Sequence, residues 1–294
     1  MEWLRPFGYT GLKVTALGLG GGQIGNDQID ETTAEQFLNA VLDAGVTLID
    51  TARGYNTSEE RIGKYISHRR SEYVLSTKVG YGVDGYENWT PAIIAAGIDR
   101  ALKLLKTDII DICHLHSCPV DVLKSSGVVE ALNKEKEKGK IKVAAYSGEN
   151  DDLSWAAQSG AFGSLQTSIN VTDQLSLNKY VPEAVEKGMG VIAKRPMANA
   201  PWRFTERPVG DYSEQYWGRW KQMGINPGGL EWQEVFLRFA AYAPGVNSAI
   251  AGTANKEHFL RNIEIVKQGP LPAELNDFIR QAYVQHGESW TGQT

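Results

Sequence analysis

The sequence predicts an α/β protein, a single-domain (β/α)8 TIM barrel over residues 1–294, and three observations carry that prediction. A short apolar run, a polar turn and an amphipathic stretch of about 10 to 15 residues recur almost to the end of the chain, which is the pattern of a strand followed by a helix. Eight such strands are found, at 15–20, 46–50, 73–78, 109–116, 141–147, 164–169, 190–194 and 248–252. With 294 residues and 42% hydrophobic content the chain can bury one barrel of about 250 residues with modest additions. Parallel strands need crossover helices, and a closed ring leaves no sheet edge, so the repeat favours a barrel over a doubly wound open sheet.

The elements follow in order. The first dozen residues, turning at Tyr9-Thr10-Gly11-Leu12, read as a β-hairpin that plugs one end of the barrel. Residues 33–44 place Phe37, Ala40, Val41 and Ala44 on one helical face, with Thr32-Thr33 as the cap, and Thr90-Pro91 supplies a cap and first-turn proline for a helix reaching Leu105. Further helices fit 59–67, 127–138, 152–159, 179–187, 232–242 and 256–267. Two pieces fall outside the repeat. Residues 198–229, rich in Trp, Pro and Gly, form a loop after the seventh strand that is too long for an ordinary connection and is expected to act as a lid or pocket wall. The tail after Pro272 reads as a helix followed by Trp290, which is placed to cover a barrel mouth.

Net charge is -5, with acids and bases interspersed, so neither a nucleic-acid face nor a polybasic membrane patch is expected. The first residues lack the pattern of a signal peptide, and no run approaches the ~18 apolar residues of a membrane span, so the expectation is a cytoplasmic protein acting on a small molecule. Its two cysteines, Cys113 and Cys118, are expected to be thiols. Oligomeric state leaves no trace in the sequence.

In a barrel of this kind chemistry sits at the carboxyl ends of the strands. Asp50 ends the second strand, Lys78 the third and His116 the fourth, while Tyr55 lies five residues beyond Asp50 in the following loop. A buried lysine beside a carboxylate keeps its charge, and a phenol near that ammonium gives up its proton more readily than in water. Taken singly, Asp50 and Lys78 read as a structural ion pair with Tyr55 packed nearby; three consecutive strands ending in such groups favour chemistry.

Leu48-Ile-Asp-Thr-Ala-Arg-Gly-Tyr55-Asn-Thr-Ser-Glu-Glu-Arg-Ile-Gly63 resembles the aldo-keto reductase signature around its catalytic Asp and Tyr. Leu75-Ser-Thr-Lys78, Asp111-Ile-Cys-His-Leu-His116 and the start Thr10-Gly-Leu-Lys-Val-Thr-Ala-Leu-Gly-Leu-Gly20 are similar to family segments in order and spacing, so the resemblance spans essentially the whole chain. It implies an NAD(P)(H)-dependent oxidoreductase that moves hydride reversibly between nicotinamide and a carbonyl or alcohol. Tyr55 would be the proton donor, Lys78 its activator, Asp50 the support of Lys78, and His116 the group that orients the substrate oxygen. His114 shares a strand face with His116 and is its rival for that role. Gly22, His114 and Trp202 are further expected to line the substrate pocket.

The resemblance also implies a cofactor site. Ser147 and Gln166 would meet the nicotinamide carboxamide; Gly148 stands where many relatives have Asn, and Asn150 is the substitute on offer. Lys194-Arg195-Pro196 replaces the usual aromatic-Ser-Pro, so Lys194 and Arg195 would instead face the pyrophosphate. Gly252, Thr253, Lys256, His258, Arg261 and Asn262 resemble the phosphate and adenosine segment at the start of the last barrel helix, where the helix dipole favours anions. The implied cofactor is NADPH/NADP+, with NADH as an alternative.

Two local patterns point elsewhere. Gly20-Gly-Gly22-Gln-Ile-Gly25 satisfies a dinucleotide fingerprint, yet Asn26 to Asp30 separate it from the next helix; the glycines are expected to let the loop pass close to substrate. Cys113, His114, His116 and Cys118 include good zinc ligands, but strand alternation turns Cys113 away from both histidines, so no metal site is expected. Two other readings compete with the reductase: a cofactor-sensing regulatory protein on the same scaffold, and an aldolase forming a Schiff base on Lys78, which would not need Tyr55.

Overall fold

A computed structural model describes residues 2–294. Two short antiparallel strands, β1 (Leu4–Pro6) and β2 (Lys13–Thr15), precede the ring. The ring comprises β3 (Leu17–Gly20), β4 (Leu48–Asp50), β5 (Val74–Val79), β6 (Ile110–His116), β7 (Ile141–Ser147), β8 (Ser164–Ser168), β9 (Gly190–Lys194) and β10 (Ser248–Ala251). These eight close into one parallel barrel in chain order, with β10 paired back onto β3. All eight expected barrel strands are present. The first begins at Leu17 rather than residue 15, because Thr15 ends the hairpin.

The crossover helices follow the amphipathic segments. Glu31–Asp43 buries Ala34, Phe37, Leu38, Val41 and Leu42. Its cap is Asp30, whose carboxylate accepts the Thr33 N–H at 2.8 Å, rather than the Thr32-Thr33 pair, which already lies within the first turn. Thr90 and Pro91 open Pro91–Leu105 as their residue types dictate. Two short helices, Val120–Ser125 and Leu175–Lys179, carry too few apolar positions to show a period, and a third, Glu214–Met223, lies inside the segment after β9 that the sequence reads as a loop, although Tyr216, Trp217, Trp220 and Met223 fall at helical spacing. The last helix, Ala273–His286, leads into the tail.

The interior of the ring is divided by height. At the amino-terminal end Phe7 and Val14 of the hairpin close on Leu48, Val74, Ile112, Val143, Ala145, Ile192 and Ile250, all buried. A Cβ on Gly190 would stand 2.5 Å from the Phe7 ring, so glycine there makes room for the plug. Two residues further along each strand, alternation brings up polar side chains: Asp50, Ser76, His114, Ser147, Gln166 and Lys194. The same alternation sends Cys113 outward into the layer between ring and helices. The barrel is thus apolar below and polar above, and the polar end is the one at which βα loops can reach a ligand.

Candidate active site

Asp50 is the hub of the polar end. Its Oδ2 accepts the Lys78 ammonium at 2.6 Å, and its Oδ1 accepts the Ser76 hydroxyl at 2.8 Å and the Gln166 amide at 2.9 Å. Lys78 also donates to the Thr51 carbonyl at 2.9 Å, and both partners of the ion pair are 1% exposed. Burial works against the Lys78 charge, but Asp50 and Tyr55 outweigh it, so its pKa lies above the ordinary lysine value. An ammonium fixed in this way is a permanent charge of known position.

That charge lies 4.9 Å from the centre of the Tyr55 ring, with the Tyr55 oxygen among the groups that stabilise it. Tyr55 is held by a loop that two glycines allow to approach. A Cβ on Gly25 would fall 2.0 Å from the Tyr55 carbonyl, and one on Gly21 would fall 2.8 Å from the Asp50 carbonyl. The glycine run therefore seats the first βα loop against the Tyr55 loop. Gly22 lies at the ring itself, 4.0 Å from it by the same construction.

His116 stands edge-on to Tyr55, with ring centres 6.1 Å apart, and its Nδ1 is 2.8 Å from the Tyr81 hydroxyl. Burial, reinforced by the Lys78 and Lys194 charges, pushes its pKa down to about 2. His114 is fully buried one layer lower, where its Nε2 meets the Ser76 hydroxyl at 3.1 Å, and burial pushes it down to about 3. Both rings are neutral near pH 7. Only His116 reaches the mouth; His114 supports Ser76, which in turn supports Asp50.

The opposite arc of the rim is made from β7 to β10. Ser147 donates to the Gln166 carbonyl oxygen at 3.1 Å, so the two residues expected to meet a carboxamide meet each other and Asp50. Lys194 pairs at 3.2 Å with Glu149, whose carboxylate also accepts Thr167, the Ser168 hydroxyl and the Ser168 N–H. Arg195 donates to the Gln293 carbonyl at 2.5 Å and to the Tyr212 hydroxyl. Asn150 exchanges two hydrogen bonds with the Gly292 backbone, at 3.1 and 2.7 Å. The tail thereby straps this arc, with Trp290 packed on Tyr283 and Arg219.

Beyond β9 the backbone is left-handed at Arg195, Ala198, Asn199 and Ala200, an unusual run for residues with a Cβ. Trp202 packs on Phe236 of the outer helix Trp232–Ala241, ring centres 4.9 Å apart. After β10, the Thr253 hydroxyl accepts the Asn255 N–H, and Asn255 caps helix Lys256–Lys267 by accepting the His258 N–H at 2.9 Å. Lys256 and His258 lie exposed on its first turn, beside Gly252, while Arg261 reaches Glu231 and buried Asn262 accepts from Gln233. An exposed, capped helix start with basic side chains fits the diphosphate of a dinucleotide. At β9 the half-buried Lys194, paired with Glu149, stands where the usual family pattern has an aromatic residue.

Sequence reasoning missed Ser76, Tyr81 and Glu149. Ser76 could have been found from strand alternation, two residues before Lys78. Tyr81 and Glu149 sit in loops, where no period reports direction. Among the described residues no helix is long and apolar enough to cross a membrane.

The pattern of the Aldo/keto reductase family matches residues 16–284. A Bacillus subtilis protein described as the uncharacterized oxidoreductase YqkF is 25% identical over 291 residues, covering 92% of this chain and 93% of that protein. An NADH-specific methylglyoxal reductase of Escherichia coli is 28% identical over 216 residues, 65% of this chain and 66% of that one. In fold, the aldo-keto reductase AKR11C1 from Bacillus halodurans superposes with a TM-score of 0.81 at 24% identity, covering 96% of each chain. With the barrel, the Asp50–Lys78 pair under Tyr55 and a family match over nearly its whole length, the chain belongs to the aldo/keto reductase family of nicotinamide-dependent oxidoreductases.

Proposed function

We propose that this protein reduces aldehydes or ketones, and in reverse oxidises alcohols, with Tyr55 as the proton donor and acceptor. The observation that carries this reading is the Lys78 ammonium, ion-paired to Asp50 at 2.6 Å and held 4.9 Å from the centre of the Tyr55 ring. A bound nicotinamide nucleotide would supply or receive the hydride. As negative charge grows on the carbonyl oxygen, Tyr55 hands over its proton and Lys78 stabilises the phenolate left behind. Asp50 keeps Lys78 in place, and neutral His116 hydrogen-bonds the same substrate oxygen. Positioned acid catalysis of this kind contributes about 10²–10⁴-fold.

For the cofactor, Ser147 and Gln166 are proposed to border the nicotinamide end, Lys194 and Arg195 to face the pyrophosphate, and Gly252, Thr253, Lys256, His258, Arg261 and Asn262 to border the phosphate and adenosine end. Lys256 and Arg261 favour NADPH, though one similar protein is described as NADH-specific. The aldolase reading is disfavoured because the Lys78 pKa is raised, whereas a Schiff-base amine must be neutral to attack.

The test is direct. Titration with NADPH and NADH, followed by tryptophan fluorescence, measures binding, and loss of cofactor absorbance across a panel of aldehydes measures turnover. Tyr55→Phe should retain cofactor affinity and lose about 10²–10⁴-fold in kcat, since only the proton donor is removed. An undiminished rate would take Tyr55 out of its role, and tight cofactor binding without turnover of any carbonyl would favour the sensor.

A further inference from the structure

We propose that Tyr81 is a positioning residue that fixes the tautomer of His116, making His116 a hydrogen-bond donor toward the barrel mouth; the catalytic consequence rests on the carbonyl-reduction reading above. A neutral imidazole has one N–H, and which nitrogen carries it is set by the partner of the other. In His116 the Nδ1 atom is 2.8 Å from the Tyr81 hydroxyl, while Nε2 has no partner among the described residues and is not sealed in.

The choice of donor follows from satisfying both groups. If Nδ1 carried the proton, the Tyr81 oxygen would accept it, and the half-buried phenol's own O–H would have no protein acceptor, since His116 is its only hydrogen-bond partner among the described residues. If Tyr81 donates, Nδ1 is satisfied as acceptor and Nε2 carries the proton outward. A phenol O–H is also a good donor to an imidazole nitrogen. Protonation of both nitrogens is excluded near neutrality, because burial and the Lys78 and Lys194 charges hold the ring neutral.

The loop after β5 is shaped to hold Tyr81 there. Tyr81 stacks on His116 with ring centres 5.5 Å apart and planes inclined by 28°, and Trp89 abuts its other side at 5.9 Å. Gly80, at φ +134°, leaves room for Trp89, since a Cβ would fall 2.1 Å from the indole. Gly54 does the same for the hydroxyl, where a Cβ would stand 3.0 Å away. Without Tyr81 the His116 ring would keep its place on the strand but lose the reason to present N–H rather than a lone pair. A lone pair facing a carbonyl oxygen repels it.

The experiment is 15N NMR of imidazole-labelled protein without cofactor, with the His116 signals assigned by their loss in His116→Asn. The wild-type protein should show protonated Nε2 and unprotonated Nδ1, and Tyr81→Phe, which keeps the stacked ring, should show a mixture of both tautomers. In turnover, Tyr81→Phe should lose roughly tenfold in kcat, with the KM for the nicotinamide nucleotide unchanged. A wild-type Nδ1–H form, or a Tyr81→Phe spectrum of His116 identical to wild type in a protein of unchanged Tm, overturns the proposal. The spectrum needs no turnover, so a chain that reduces no carbonyl yet shows the Tyr81-dependent tautomer upholds this assignment and sinks the reductase reading alone.

Discussion

The two arcs of the barrel rim are built from the same kind of residue and put to different use. From β4 to β6, Asp50, Lys78 and His116 stand at consecutive strand ends, and the Asp50–Lys78 pair lies against Tyr55 with its charges already matched. From β7 to β9, Ser147, Lys194 and Arg195 stand at strand ends and Gln166 within β8, but their polar atoms are taken up by Asp50, Glu149, Tyr212 and the tail. The first arc presents an ion pair already satisfied beneath an available phenol, the arrangement proposed above to carry the chemistry. The second is a network whose members hold one another, with Glu149 alone accepting from Lys194, Thr167 and Ser168. The lesson is that strand position places a residue at the rim, while the supply of alternative partners decides how much it matters.

The largest expected effect separates the arcs directly. Lys78→Met leaves the Asp50 carboxylate buried without a cation, which should cost about 3–5 kcal/mol of stability in addition to turnover. Lys194→Met should cost less, about 1–3 kcal/mol, because Glu149 keeps three other donors from Thr167 and Ser168. Urea unfolding of both variants measures the difference, and equal losses would erase the distinction between the arcs.

A second test uses pH. Asp173, buried beside the second arc, has its pKa pushed up to about 7 by burial and then by the Glu149 charge, against the pull of Arg219. An unfolded aspartate titrates near ~3.9, so between about pH 4 and 7 the folded chain holds a proton that the unfolded chain has released. That contribution to stability is full below about pH 4 and is lost as pH rises through about 7. Asp173→Asn should therefore become steadily more stable relative to wild type across this window. His114 and His116, whose pKa values are depressed, tilt the wild-type curve the opposite way, so the difference between the two proteins is the quantity to measure. A flat difference would place the carboxyl of residue 173 in contact with water.

The smallest effect concerns the strained turn after β9. Ala200, at φ +55°, adopts a conformation that glycine enters without a Cβ penalty. Ala200→Gly should raise stability by about 0.5–1 kcal/mol, read as a small increase in Tm. A loss instead would mean that the Ala200 methyl group contributes packing that outweighs its backbone strain.

Much of the fold was legible because the barrel repeats itself. A strand buried on both faces has to be a short apolar run, and its crossover helix has to carry an apolar stripe, so all eight strands and most of the helices left a period in the chain. The helices at 120–125 and 175–179 were not legible, being too brief to establish one, and the helix at 214–223 was hidden by the Pro- and Gly-rich segment around it. The glycine run at 20–25 was read correctly as a loop, but what it approaches, the Tyr55 backbone, is a neighbour that only the folded chain reveals.

By itself the sequence determined the ring, the rim positions of Asp50, Lys78 and His116, and the family to which their spacing belongs. Strand geometry repeats every two residues, so position along a strand fixes both height and face. Tertiary structure alone decided that Tyr81 meets His116, that Glu149 holds Lys194, and that the tail returns to Asn150 and Arg195. Those contacts join loops far apart in the chain, where no local period constrains direction and hydrogen-bond partners are chosen by what else lies within reach.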